Sequence, residues 1–454
     1  MLQRLNSIVW GAPALLAILG IGFYLTIRSG CCQLTMLPRA MKAFFMQSKR
    51  TGTDRTNSSY RALCTALAAT VGTGNIIGVA GAIVIGGPGS IFWMWICGLL
   101  GMVIKFAEAT LAVHYCQKNR TGETIGGPMY MIQNGLGRGW LWLGFIYCAF
   151  GMVASFGVGN AAQVNAVVES LSPITGNALP WKYLIGVSLA MLVAGVLIGG
   201  AKRIGEIAEI LIPLAACTYI CVCLAGLVLC ADRIPGAVNS IFIGALRPRA
   251  VTGGVLGSAF QALMIGASRG TFTNEAGMGT ASIAHAAASV EHPVEQGFMG
   301  ILEVFIDTIL LCTMTALVIL TSGIKIPYGT ESGGTLTLTA LSHIFGGWVG
   351  YLLAIIISLF AIATILGWSL YGIRCTQYLF GDTSWKVYVW AQVIVVAVSA
   401  MVKSTAIWSF SELMNGLMLL PNLVALLLLS PVLIKLIAGY KYHDKNLTKR
   451  HKKW

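Results

Sequence analysis

Six stretches of this chain run for about twenty residues with at most one charged side chain: Ile8–Ile27, Trp140–Val158, Tyr183–Gly200, Ile207–Cys230, Val349–Leu370 and Leu417–Ile434. At about 1.5 Å of rise per residue, helices of that length cross the hydrocarbon core of a bilayer. Only 10% of the 454 residues are charged and 56% are hydrophobic, whereas a soluble domain carries about 25% charged residues. A soluble fold of this composition would lack a surface that water tolerates. The first run reads as a true span, because its apolar part is too long for a signal peptide and Arg28 follows it directly.

Extending the pattern predicts an all-α membrane protein with eleven transmembrane helices, near 8–28, 62–86, 89–113, 140–168, 181–200, 206–230, 255–284, 298–322, 348–376, 386–402 and 406–436. With the N-terminus outside, 21 Lys and Arg fall inside, among them Arg28, Arg39, Lys42, Lys49, Arg50, Arg55, Lys202, Arg203 and the C-terminal tail. Seven, including Arg4, Arg249 and Lys403, fall outside. That bias predicts a multi-pass protein of the cell membrane, N-terminus out and C-terminus cytoplasmic. The net charge of +14 then reflects basic loops against anionic headgroups. No nucleic-acid module is visible. The first inside loop, 29–61, reads either as a plain connection or as a segment on the membrane surface, with Met36, Leu37, Met41, Phe44 and Phe45 among its basic residues. The 12 cysteines, Cys217, Cys221 and Cys223 included, show no metal-ligand spacing and read as small apolar packing residues.

Two glycine clusters interrupt this apolar pattern. One is Ala69-Thr70-Val71-Gly72-Thr73-Gly74-Asn75-Ile76-Ile77-Gly78, and the other runs from Gly266 through Arg269, Asn274 and Glu275 to Gly279. Glycine weakens a helix, while Ser, Thr and Asn compete for its backbone hydrogen bonds. Unwound backbone at membrane depth is tolerated only where protein or a hydrated cavity covers it. Such half-helix ends present N–H groups to an anion and carbonyls to a cation. That is what holding an amino acid carboxylate and a sodium ion at mid-membrane requires. Breaks are expected at Thr73–Asn75 and Arg269–Asn274. The clusters lie about 200 residues apart and each is followed by four more spans, the layout of two inverted five-span repeats. The corresponding division is 1–61, 62–230, 231–436 and a basic tail, 437–454.

Charged residues inside the spans need partners. Lys105 and Glu108, three apart, are expected to face each other, and Glu303 and Asp307 are four apart on another helix. Arg269 and Glu275 are expected to flank the second break. These six read as gate residues or as a structural polar network. His285 and His292, in the inside loop Ala284–Gln296, read as surface residues rather than metal ligands.

The sequence closely resembles the alanine or glycine:cation symporter family, whose members mostly couple to sodium. The stretches that carry the resemblance are Gly72-Thr73-Gly74-Asn75-Ile76-Ile77-Gly78, Gly86-Gly87-Pro88-Gly89, Lys105-Phe106-Ala107-Glu108, Gly126-Gly127-Pro128-Met129-Tyr130, Gly159-Asn160-Ala161-Ala162-Gln163, Thr273-Asn274-Glu275-Ala276-Gly277-Met278-Gly279 and Gly367-Trp368-Ser369. The resemblance implies the fold of the amino acid–polyamine–organocation transporters, two inverted five-span repeats, with one extra N-terminal span. It also implies import of alanine or glycine with sodium, with no other cofactor and no obligatory protein partner. It places the substrate on Thr73, Gly74, Asn75, Gln163, Phe272, Thr273 and Asn274, with Trp368 as a wall that limits its size. For Trp368, the residue pattern alone favours simple packing. The resemblance further suggests a sodium ion held by the carbonyls of Ala68, Val71 and Ala361 and the hydroxyl of Thr364. Thr364 is four residues before Trp368, on one helix face; its alternative is a bond to its own helix carbonyl. Protons carried by Glu275, Glu303 and Asp307 remain the alternative coupling ion.

Other classes fit less well. A channel would show repeated filter residues. The Gly266-Ala267-Ser268-Arg269-Gly270 stretch departs from the GxSxG elbow of a hydrolase and lacks its strand–turn–helix context, so no enzyme is expected. An amino acid sensor with a transporter fold would be separated by concentrative uptake in proteoliposomes.

Overall fold

A computed structural model of the protein describes residues 6, 9–48, 59–176, 178–247, 259–330, 334–402 and 404–451. Arg4, Lys49, Arg50 and Arg55, the start of the seventh predicted span at 255–258, Arg249, Lys403, Lys452 and Lys453 lie outside the described residues.

The first helix, α1 (Ala12–Ser29), begins with Pro13, whose missing N–H costs nothing in a first turn. It ends at Gly30 in the left-handed region, φ 70°. After it come α2 (Ser59–Thr70), α3 (Val79–Gly86), α4 (Gly89–His114), α5 (Leu141–Ala154), α6 (Ala162–Thr175), α7 (Leu179–Leu197) and α8 (Gly200–Leu229). The second half holds α9 (Ala259–Asn274), α10 (Thr280–His285), α11 (Pro293–Val304), α12 (Thr313–Thr321), α13 (Val349–Phe380), α14 (Trp385–Ser399) and α15 (Ser404–His451). Eight of the described spans are long and apolar enough to cross a membrane, and α2 with α3 makes a ninth, bent by 52° at its break. The predicted spans at 255–284 and 386–402 correspond to shorter pieces, α9 with α10 and the 15-residue α14.

The interior is largely apolar, as in a water-soluble protein, but the outer surface is apolar as well. Leu16, Phe23, Met191, Ile210, Val228 and Ile394 are each more than half exposed, while Lys105, Glu108, Glu303 and Asp307 are fully buried. Apolar side chains on the outside and ions on the inside are what a hydrocarbon solvent selects.

Helix α4 packs against α9 and α11, and α13 packs against α2, α5, α6 and α8. Small residues bring these backbones together. A Cβ on Gly300 would lie 2.6 Å from the Lys105 carbonyl, and one on Gly367 would lie 2.8 Å from the Ala69 amide. Among the described residues, four wide, π-helical stretches break the regularity, at Gly74–Gly78, Ile132–Leu136, Ser155–Ala161 and Phe305–Cys312. Such turns cluster where function needs an irregular backbone.

The connections hold structure that hydropathy alone did not reveal. Leu37–Ser48 is helical, with Phe44 against Tyr60 at 5.5 Å and Phe45 exposed. Gln117–Lys118 and Thr124–Ile125 form a small antiparallel hairpin. Further helices cover Ile234–Leu246 and Leu336–Phe345. Helix α15 continues past the expected end of its span to His451. Cys217 and Cys221 are exposed and Cys223 is buried, so the three point to different surroundings.

The start of α4 tests this packing. A Cβ on Gly89 would sit 2.1 Å from the Gly244 backbone, whereas one on Gly81 meets nothing within 4 Å. Overpacking of this kind costs about 1–3 kcal/mol. Gly89→Val is expected to lower the melting temperature in detergent clearly, and Gly81→Ala to leave it near the wild type.

Candidate functional site

The first break opens where Val71 and Gly72 leave α2. The Gly72 N–H turns to the Asn75 side chain, donating to its Oδ1 at 2.9 Å. A Cβ on Gly72 would lie 2.7 Å from the Thr364 hydroxyl and 3.9 Å from Gln163 Oε1. The break therefore presses directly on α13 and α6, and only glycine leaves room. The Thr73 hydroxyl donates to Gln163 Oε1 at 3.2 Å, and Gln163 Nε2 donates to the Val158 carbonyl at 3.1 Å. Gly74 faces the Thr273 side chain, 3.7 Å from where its Cβ would stand. The residues expected at the first break are thus gathered with Gln163, Thr273 and Thr364.

The second break lies further along the chain than the sequence pattern suggests. Arg269–Asn274 is not unwound: α9 is continuous to Asn274 and the break spans Glu275–Gly279. The glycines at 266 and 270 serve close packing instead. A Cβ at Gly266 would lie 2.3 Å from the Ser90 carbonyl, and one at Gly270 would lie 3.3 Å from Cys97 Cβ. The Thr273 hydroxyl bonds back to the Arg269 carbonyl at 2.7 Å, so its side chain is satisfied within the helix. Unwinding begins where Glu275, Gly277 and Gly279 adopt positive φ, at 54°, 91° and 75°.

The amides freed there have specific acceptors. Glu108 Oε1 accepts from the Gly277 N–H at 3.0 Å and the Gly279 N–H at 3.1 Å. Asn422 Nδ2 holds that oxygen at 2.7 Å and the Gly277 carbonyl at 2.8 Å. Asn274 Oδ1 accepts from the Ala276 N–H at 2.9 Å.

Asp307 joins the two breaks. Asn75 Nδ2 donates to Asp307 Oδ1 at 2.7 Å, and the Thr308 hydroxyl donates to Asp307 Oδ2 at 2.7 Å. Asn274 Nδ2 donates to Thr308 Oγ1 at 3.2 Å. A continuous hydrogen-bonded path therefore runs from the Gly72 amide through Asn75, Asp307, Thr308 and Asn274 to the Ala276 amide. Thr315 adds a bond to the Asn75 carbonyl at 2.8 Å.

Trp368 is fully buried on α13. Its ring N–H donates to Glu275 Oε1 at 3.0 Å, and its carbonyl accepts from Ser155 at 2.8 Å. Phe272, half-buried, packs against the same apolar cluster as Trp368, Tyr371 and Ala69. On the same helix, Ser358 and Thr376 bond back to carbonyls four residues earlier, each at 2.8 Å. The Thr364 hydroxyl does not: it is buried, beside Gly72, without a hydrogen-bond partner. Ala68, Val71 and Ala361 are buried as well.

The expected facing of Lys105 and Glu108 is replaced by another pairing, and Arg269 does not flank the break. Lys105 turns away from Glu108 to Glu303, at 2.9 Å. Glu303 also meets His285 Nε2 at 2.9 Å, and His285 Nδ1 meets Gln296 at 2.7 Å. His285 is therefore buried in this network rather than on a surface loop. Arg269 pairs with Glu412 at 3.1 Å, away from the break.

Sequence spacing missed Asn422, Ser155 and Glu412, which reach their partners only through tertiary contacts, and Thr308 and Thr280, which bond the nearby carboxylates Asp307 and Glu275. Asn160 was visible in its motif. It is fully buried three residues before Gln163, with neither amide atom partnered. A cavity of about 410 Å³, lined by Arg61, Thr65, Glu123, Lys202, Ile283 and Arg374, lies apart from Thr73, Asn75 and Trp368, which are sealed from solvent. Ion pairs border it, Arg61 with Glu209 at 3.2 Å and Arg374 with Glu123 at 3.0 Å.

Residues 1–453 match the sodium:alanine symporter family. The sodium/alanine symporter AgcS of Methanococcus maripaludis is 40% identical, over 99% of this chain and 98% of its own. An uncharacterized transporter of Haemophilus influenzae is also 40% identical, over 97% of this chain and 95% of its own. Among solved structures, that of MhsT in complex with L-phenylalanine aligns with a TM-score of 0.57 at 16% identity, covering 81% of this chain and 88% of that one. At that identity the likeness is one of fold, an all-α, multi-span membrane protein related to inverted-repeat transporters.

Glu108 offers a direct test of the second break. Its removal leaves two buried N–H groups unpaired, at about 1–3 kcal/mol each. Glu108→Ala is expected to lower the melting temperature in detergent and abolish transport, whereas Glu108→Gln, which keeps an acceptor, should retain most of the stability.

Proposed function

This chain belongs to the sodium:alanine symporter family, and from that premise we propose that it imports alanine or glycine together with sodium by alternating access. It is a transporter rather than an enzyme. The observation that carries the reading is the buried, unpartnered hydroxyl of Thr364 beside Gly72 at the first break. A buried hydroxyl next to the end of a half-helix can offer its oxygen to a cation. The carbonyls of Ala68, Val71 and Ala361 complete the oxygen set, as a hard cation demands. The amino acid sits beside it. Its carboxylate meets the amides around Thr73, Gly74 and Asn75, and Gln163 and Asn160 supply polar contacts from one helix face. Phe272, Thr273 and Asn274 close the opposite side, and Trp368 limits side-chain size.

The eleven spans comprise one extra N-terminal helix and two inverted five-helix repeats, 62–230 and 231–436. The N-terminus is outside and the C-terminus cytoplasmic. In that orientation the cavity beside Arg61, Lys202 and Arg374 is the inner vestibule, and Arg269 with Glu412 closes the outer side. Protons are the weaker alternative as coupling ion, because each candidate acid is already engaged: Glu303 with Lys105 and His285, Glu275 with Trp368 and Thr280, Asp307 with Asn75 and Thr308.

In proteoliposomes at fixed membrane potential, an imposed sodium gradient should drive alanine accumulation, and a proton gradient alone should not. Thr364→Val keeps the shape and removes the oxygen. By analogy with hydrogen bonds to charged groups, that loss is about 1.5–3 kcal/mol, so half-maximal uptake should need about ten- to a hundredfold more sodium at unchanged protein abundance. Unchanged sodium dependence would remove Thr364 from the site.

Substrate size gives an independent measurement. Against labelled alanine, the wild type should be inhibited by alanine and glycine and hardly by leucine. Trp368→Ala should admit the larger amino acids, improving their inhibition by about tenfold or more.

A further inference from the structure

The size limit depends on the orientation of the Trp368 ring, and that orientation is held from the second break. Trp368 has two side-chain torsions. The first is confined by Gly159, whose Cβ, if present, would stand 2.3 Å from Trp368 Cβ and 2.9 Å from its Cγ. Ser155 holds the backbone behind it through the Trp368 carbonyl. Rotation of the indole about its Cβ–Cγ bond is bounded by the surrounding apolar cluster, with the Tyr371 ring edge-on at 5.8 Å between centroids. Within that space the bond from its ring N–H to Glu275 Oε1, at 3.0 Å, selects the orientation.

Glu275 is itself held. Its Oε2 accepts from the Thr280 hydroxyl at 2.6 Å, across the break and at the start of α10. Its backbone is the other sign that the side chain matters. Of the three residues with positive φ between 275 and 279, two are glycines and Glu275, at 54°, is not. An L-residue is disfavoured in this region, and glycine would sit there without strain. The carboxylate occupies a position where local conformation argues against any side chain, and both its oxygens are engaged, one on Trp368 and one on α10.

We propose that Glu275 is a positioning residue for substrate selection: it locks the indole of Trp368 in the orientation that excludes amino acids with side chains larger than a methyl group. Because Glu275 begins the second break and is held by Thr280 at the start of α10, the wall is in place only when α10 keeps that hydroxyl on the carboxylate, so the check on size is tied to the geometry of the break. The inference rests on the reading of Trp368 as a wall of the pocket.

The test is inhibition of labelled alanine uptake in proteoliposomes by 2-aminobutyrate, valine and leucine, each expressed relative to inhibition by unlabelled alanine. Glu275→Ala should raise the relative potency of 2-aminobutyrate by about tenfold, as Trp368→Ala is also expected to do. Glu275→Gln keeps an oxygen acceptor for the indole and should restore the wild-type ranking. Trp368→Phe has no ring N–H, so Glu275→Ala added to it should change the ranking no further. Should Glu275→Ala prove too unstable to assay, Thr280→Val, which frees one carboxylate oxygen, should shift the ranking in the same direction by a smaller factor. The proposal is overturned if Trp368→Ala widens the range while Glu275→Ala leaves the ranking unchanged, or if the effects of Glu275→Ala and Trp368→Phe simply multiply. A Trp368→Ala variant that keeps the wild-type ranking would instead overturn the pocket-wall reading itself.

Discussion

A peptide group released from a helix inside a bilayer finds no water, so each freed amide must meet an acceptor supplied by the protein. Most of the polar interior follows from that constraint. Gly72 is met by Asn75, Ala276 by Asn274, and Gly277 and Gly279 by Glu108. The acceptors in turn need holding, which is what Asp307, Thr308 and Asn422 do. The two breaks are therefore one hydrogen-bonded unit, with a single carboxylate, Asp307, at its centre. Displacing either half-helix disturbs the other through that group.

The buried ions serve a different purpose. Taking Lys105 and Glu303 out of water costs much of what their attraction returns, so the pair specifies geometry more than it adds stability. It fastens α4 to α11 where Gly300 lets the helices approach the Lys105 backbone. His285 and Gln296 extend the same network to α10, which carries the far side of the second break. A rigid support thus stands behind backbone that must stay unwound. The wide turns complement it: Asn75, Asn160, Asp307 and Thr308 all lie on π-helical stretches, which turn side chains inward at angles a regular helix does not offer.

Much of the fold was legible in the sequence because hydrocarbon imposes a simple rule. A run of about twenty apolar residues has few outcomes other than a helix, and glycine with hydroxyl and amide side chains inside such a run marks a place where a helix gives way. Asn75, Gln163, Thr364 and Trp368 could be singled out by that logic, by helical spacing and by family resemblance. The same logic erred at Arg269–Asn274. Glycines that loosen a helix and glycines that admit a neighbour look identical in a sequence, and only the Ser90 carbonyl against Gly266 tells them apart.

The sequence by itself determined that the chain lives in a membrane, roughly where its long apolar helices lie and that two of the spans must contain irregular backbone, because length, polarity and glycine content are local properties. Tertiary structure alone decided which partner each buried group takes. Helical spacing offered Glu108 to Lys105, three residues away, but the lysine pairs with Glu303 and Glu108 is claimed by Gly277, Gly279 and Asn422, the last 314 residues distant. Likewise Trp368 could be named from its place on a helix face, but not the carboxylate 93 positions earlier that holds its ring. Contacts of that separation depend on how the helices pack, and no pattern of three or four residues records it.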